Sequence, residues 1–210
     1  MRSESKFAST VAALSEELNR PERDQEKLGV LARSLRWHAT PDREDMVALM
    51  GLGELVRRKW EPDGWEVERA VLEILCEQAE ANHVPFLIET FRHTARGKHS
   101  NDRRRLALHA LSRVAARTGH REALLVLEEG LAHSKKDTRG WAIGFLVDSC
   151  AHLGRPVPES AISRLRVLAE NDISADVRVE AVMALARLEL ADEATVQAVV
   201  ARAQEQASDE

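Results

Sequence analysis

Tyrosine is missing from this 210-residue chain, cysteine occurs twice, and phenylalanine and tryptophan occur four times each. With threonine also sparse, the residues that favour extended sheets are scarce, and a sheet protein is not expected. The largely apolar stretch from Trp141 to Val147 is seven residues long, against the roughly 18 needed to cross a bilayer, so a transmembrane helix is excluded. The first twenty residues carry Glu4, Glu16, Glu17 and Arg20 among apolar positions. They read as an amphipathic helix and not as a secretory leader, and a cytoplasmic location is expected. Cys76 and Cys150 lack neighbours at metal-ligand or redox spacing, which leaves no basis for a disulfide framework and no reason to expect a cofactor or metal.

What is abundant is equally telling. Ala, Leu, Glu, Arg and Lys supply 109 of the 210 residues, the composition of long helices. Pro21, Pro41, Pro62 and Pro85 fall 20, 21 and 23 residues apart, and Gly97, Gly119 and Gly154 follow later helical stretches. Between these breakers apolar residues recur at three and four, as in Leu124, Leu127 and Leu131, which marks one face of a helix. The pattern predicts eleven helices, over 4–19, 22–38, 42–59, 65–81, 84–96, 102–118, 120–133, 137–153, 158–170, 175–189 and 192–207. Short connections make neighbours antiparallel.

Alternate helices also resemble one another. Asp176, Arg178, Ala181, Ala184 and Leu185 stand at offsets repeated by Asp137, Arg139, Ala142 and Leu146, and again by Asp102, Arg104, Ala107, Ala110 and Leu111. The separations are 39 and 35 residues, and a weaker copy centres on Ala70 and Ile74. Periods of about 20–50 residues signal stacked repeats. This Asp-x-Arg-x-x-Ala-x-x-Ala-Leu pattern resembles the second helix of a HEAT repeat, well over about residues 84–190 and by inference before that. The resemblance implies a right-handed α-solenoid of about five helix pairs, 4–38, 42–81, 84–118, 120–153 and 158–189, closed by a capping helix at 192–207, all in one domain over 1–210. It also implies that the Asp and Arg residues tie successive repeats together. Independently, a carboxylate near a helix start meets unpaired amide donors, and small side chains at Ala107, Ala142 and Ala181 let helices approach.

The net charge of −5 conceals a contrast. Residues 92–121 hold Arg92, Arg96, Lys98, Arg103, Arg104, Arg105, Arg113, Arg117 and Arg121 against one acid, Asp102, while the remainder carries −13. Such asymmetry points to a local contact with an anion; the plainer alternative is a solvated helix face, since arginine is a good helix former. An acidic protein segment fits better than nucleic acid, because the overall charge is negative and tyrosine, which could stack on bases, is absent.

Helix 137–153 is apolar around its circumference and is expected to be deeply buried. Aligned by the repeat alanine, Trp141 takes the slot of Glu180 in the next repeat and of Leu106 in the previous one, a slot that can face outward. Trp141, Phe145, Asp148 and His152 form one stripe, and Gly140 and Gly144 leave room beside it. An exposed tryptophan is a common binding anchor; the alternative is that Trp141 fills the core.

The expected function is a non-catalytic scaffold or adaptor that binds an acidic protein segment through Arg96, Lys98, Arg103, Arg105, Arg113 and Arg117, with Trp141 and Phe145 as anchors. No catalytic residue, cofactor, metal, membrane or small-molecule substrate is expected. The alternative reading is nucleic-acid binding, or a HEAT-like DNA glycosylase acting on alkylated bases with Asp148 and Trp141 in a concave groove. Among other HEAT-like enzymes, di-iron hydroxylases need paired His-Glu dipeptides, and no histidine here is followed by glutamate. Bilin lyases rest on fold analogy alone. His93 and His99, six apart, are not a helical metal pair. Trp60 and Trp65 bracket a turn and are expected to clamp it by packing, as the two cysteines are expected to pack within their helices.

Overall fold

Eleven α-helices dominate the computed structural model, which describes residues 6–37, 41–59, 64–93 and 98–208. They are α1 (Lys6–Asn19), α2 (Gln25–Trp37), α3 (Arg43–Lys59), α4 (Trp65–Gln78), α5 (Val84–Arg92), α6 (Ser100–Thr118), α7 (Arg121–Gly130), α8 (Lys136–His152), α9 (Glu159–Asn171), α10 (Ala175–Arg187) and α11 (Glu193–Ser208), with a 3-10 turn at Ala81–His83. There is no strand among the described residues. Trp60, Arg96 and the outer ends of the helices predicted over 4–19, 22–38 and 84–96 lie outside the described residues.

Several helices start where an aspartate accepts from otherwise unpaired amides. Asp24 takes the Lys27 N–H at 2.9 Å and opens α2, three residues later than the proline beat suggests. Asp42 accepts from the Asp45 N–H at 2.9 Å and donates its own N–H to the Asp45 carboxylate at 3.3 Å, a reciprocal cap on α3. Asp192 accepts from the Thr195 N–H at 2.7 Å and opens α11. Helix ends follow a second rule. Gly119, Gly154 and Glu189 have φ of 67°, 60° and 58° behind α6, α8 and α10, so three equally spaced positions adopt the left-handed conformation that glycine favours. Their spacing of 35 residues is the repeat period read from the helix ends, and α8 outruns α10 by one turn at its start.

The chain packs as two compact units, Met1–His83 and Val84–Glu210. In the first, hairpins α1–α2 and α3–α4 stack through α1 on α3 and α2 on α4. They bury Leu14, Leu18, Leu28, Leu35, Leu49, Leu52, Leu72 and Leu75; Cys76 and Trp65 are buried beside them. Glu17 is buried at the α1–α2 corner and accepts from Lys27 Nζ at 2.7 Å and from the Asp24 N–H at 3.1 Å, with Arg20 at 3.0 Å. The Lys27 hydrogen bond, the Asp24 amide and the two cations hold its pKa below the usual carboxylate value despite burial.

In the second unit the hairpins α5–α6, α7–α8 and α9–α10 repeat one another, and their second helices stack in the order α6, α8, α10, with α11 against α10. Small residues permit this: Ala107, Ala142 and Ala181 are fully buried. A Cβ on Gly130 of α7 would sit 2.7 Å from that of Ala142, so only glycine fits there without a shift.

Polar side chains link the stacked second helices. Arg139 donates to both oxygens of Asp172, each at 2.7 Å, and to the carbonyls of His133 and Ser134 at 2.8 and 3.1 Å. Arg178 donates to the Asp172 carbonyl at 2.6 Å. Burial opposes the Asp172 charge, but the Arg139 hydrogen bonds, the Ser174 amide and the charges of Arg139 and Arg178 outweigh it and lower its pKa. At the helix starts, Asn101 donates to Asp137 and Lys136 to Asp176, both at 3.1 Å. Each aspartate is thus held by the start of the preceding second helix.

Candidate functional site

The cations of residues 92–121 do not share one environment. Lys98, Arg113 and Arg117 are exposed and Arg105 is half-buried. Arg103, by contrast, is only 8% exposed and belongs to the interior side of α6. Arg104 is half-buried and donates to Asn101 Oδ1 at 3.3 Å; burial lowers its pKa. Arg92 is engaged in an ion pair with Glu129 at 2.7 Å. Burial of a guanidinium removes it from any surface that a partner could touch, so Arg103 leaves the expected contact set.

Helix α8 is not buried around its whole circumference, as its apolar sequence leads one to expect. Ala142, Ile143, Leu146, Val147 and Cys150 face inward, while Gly140, Trp141, Gly144 and Phe145 are half-buried. With Lys136, Asp137, Asp148 and, from α10, Asp176, Val177 and Glu180, these four line an open groove of about 360 Å³. The helix is apolar on two faces because one packs on the core and the other forms the wall and floor of this groove.

Each wall is built by the repeat. On α8, Asp137, Trp141, Gly144 and Asp148 follow helical spacing, so they share one face. On α10, Asp176 and Glu180 do the same. Trp141 and Glu180 hold equivalent repeat slots and both line the groove, as expected when equivalent positions of stacked helices are neighbours. Phe145 is braced from the neighbouring repeat, its ring stacked on His109 of α6 with centroids 5.2 Å apart and planes at 10°. Trp141 has no ring contact or hydrogen bond among the described residues.

The floor is the least expected part. A Cβ built on Gly140 or Gly144 would meet nothing within 4 Å. Glycine in a helix interior costs about 1 kcal/mol relative to alanine, and packing gives no reason to pay it at these two positions. A larger side chain at either position would project into the open space of the groove.

The charge of the groove is set by four carboxylates, Asp137, Asp148, Asp176 and Glu180, against Lys136. Lys136 is held by Asp176, and Arg187 reaches the far end to pair with Asp148 at 2.5 Å. Glu180 has no ion-pair partner among the described residues. A phosphate entering here would meet like charge, the opposite of what a DNA-handling groove requires. The sequence made Trp141, Phe145, Asp148 and the two glycines legible as one surface but missed the other three acids and Lys136. The 39-residue offset was the available signal, since it sets Asp176 and Glu180 against Asp137 and Trp141.

Other features offer less chemistry. Among the described residues no group of three or more His, Cys, Asp or Glu is placed to hold a metal ion. Cys76 and Cys150 are buried thiols; burial and nearby Glu128 push the Cys150 thiol up, away from the nucleophilic thiolate. His93 is exposed, and His99 lies 3.9 Å from Asp102. A second cavity of about 360 Å³, between α5 and α7, is lined by Pro85, Ile88, Arg92, Glu122, Leu125 and Val126 and has no aromatic wall. No helix among the described residues is long and apolar enough to cross a membrane.

No family model and no curated protein matches the chain. Among solved structures it is similar to the crystal structure of an engineered protein from the Northeast Structural Genomics Consortium, at 18% identity over 93% of this chain and 95% of that one, with a TM-score of 0.46.

Proposed function

We propose that this chain is a non-catalytic scaffold of the HEAT-like, right-handed α-solenoid kind, which holds a segment of another protein against the second helices of its C-terminal repeats. The observation that carries the reading is the α8–α10 groove, with Trp141 and Phe145 in its wall and two glycines kept in its floor without a packing reason. Half-exposed aromatics beside an open floor are the anchors and pockets of protein interfaces, and a rigid stack of helices presents them with little ordering cost.

A second reading places an acidic segment on α6. It is favoured by the exposure of Lys98, Arg113 and Arg117, which would steer such a partner electrostatically.

The test is selection of binding peptides from a random displayed library on the full chain, followed by anisotropy titrations of the enriched peptides. The groove reading predicts that Gly144→Leu weakens binding by about tenfold or more, about 1.4 kcal/mol, while Arg113→Glu/Arg117→Glu changes it little. Loss confined to the arginine variant transfers the function to α6. Loss in neither variant, or no enrichment at all, overturns the scaffold reading.

A further inference from the structure

The occupant of the α8–α10 groove can be specified further, on the footing of the scaffold reading above. We propose that the groove receives an arginine side chain presented by an extended segment of the partner protein. Three features converge on that chemistry.

The first is sign. Carboxylates stand on both walls, Asp137 and Asp148 on α8 and Asp176 and Glu180 on α10. The cations near them, Lys136 and Arg187, already face Asp176 and Asp148. Glu180 remains for an incoming cation.

The second is the aromatic surface. Phe145 is covered by His109, whereas Trp141 makes no ring contact among the described residues. An indole is the best aromatic partner for a cation. A guanidinium is flat, so it stacks on that ring while its edge donates two parallel hydrogen bonds to a carboxylate. An ammonium has neither the flat face nor the two-pronged edge, which makes arginine the better match than lysine.

The third is room. A Cβ at Gly140 or Gly144 would meet nothing within 4 Å, so there is open space in the groove that Trp141 also lines. From Lys136 to Asp148 the groove follows about 18 Å of α8 at 1.5 Å per residue, the span of about five residues of extended chain. A short strand-like segment therefore fits along it with one side chain directed at the floor.

The test uses the full chain labelled with nitrogen-15 and follows the Trp141 indole N–H resonance, assigned by its loss in Trp141→Phe. The probes are a capped hexapeptide of alternating leucine and arginine, the same peptide with citrulline in place of arginine, and the same peptide with glutamate. The arginine peptide should move the Trp141 signal saturably, the citrulline peptide should bind about tenfold or more weakly, and the glutamate peptide should leave it in place. Glu180→Gln should remove most of the difference between arginine and citrulline. Equal affinity for arginine and citrulline, or a shift with glutamate, overturns the assignment. If none of the three peptides moves Trp141 while display-selected peptides bind and are lost in Gly144→Leu, the arginine assignment fails and the scaffold reading stands. If the selected peptides ignore Gly144→Leu, the scaffold groove itself is lost.

Discussion

Glycine carries opposite meanings at two positions of the second unit. At Gly130 a methyl group would come within 2.7 Å of the Ala142 Cβ, so Gly130→Ala should destabilise the chain by about 1–3 kcal/mol through overpacking. At Gly144 the same change meets open space and should stabilise the helix by up to about 1 kcal/mol. Thermal or denaturant unfolding of the two variants separates these outcomes, and shifts of the same sign would contradict the packing described for α7 and α8. Glu189 supplies a third case. It holds a left-handed φ of 58° where Gly119 and Gly154 stand behind the earlier second helices. Glu189→Gly should therefore raise stability by about 1 kcal/mol, and an unchanged midpoint would contradict strain at that position. The sequence shows why this residue escapes notice: repeat periodicity is sought among apolar positions, and a surface glutamate at a cap carries no apolar signal.

Among the elements, the link between α8 and the turn before α10 is a buried polar contact. Arg139 and Asp172 form a buried bidentate pair, and removing one partner leaves an uncompensated charge. Arg139→Ala should cost about 3 kcal/mol or more, measured by denaturant unfolding; a loss below about 1 kcal/mol would place the pair at the surface in effect. The pH dependence follows from the direction of the Asp172 shift. Its folded pKa lies below the unfolded value, so its contribution is present above that unfolded value and is lost as pH falls through the folded one. Wild type should lose stability in that acid window more steeply than Asp172→Asn, and parallel pH profiles would contradict the assignment. The helices themselves were legible from spacing: all eleven predicted segments have counterparts in the structure. Their ends were less so. The helix predicted over 120–133 stops at Gly130, where Leu131 turns back on Glu128 with a 3.1 Å hydrogen bond. The one predicted over 65–81 stops at Gln78 and gives way to a 3-10 turn in which His83 Nδ1 accepts the Glu80 N–H at 2.8 Å. Apolar spacing continues through both places, so only the local hydrogen bonding marks the stop.

For the whole molecule, net charge says less than its placement. The chain totals −5 with a strongly basic window, yet that window spreads over buried, paired and exposed arginines, and the groove beside it carries four carboxylates against one lysine. Linear sequence counts charges along the chain, whereas a partner meets them across stacked helices, and this is why the groove was only half visible in advance. The repeat offsets brought Trp141 and Glu180 to one slot, and they also set Arg103 level with Thr138 and Val177, both buried, so its inward turn was there to be read while its neighbour Arg105 remains half-exposed. Sequence spacing likewise gave no sign of two compact units, Met1–His83 and Val84–Glu210, because prolines and glycines punctuate every junction alike. The measurement that bears most directly on the account is the affinity of a display-selected peptide for wild type and for Gly144→Leu, with melting recorded for both. The account predicts binding weakened by about tenfold or more with the melting temperature unchanged or raised. Unchanged affinity in a folded Gly144→Leu variant would contradict it.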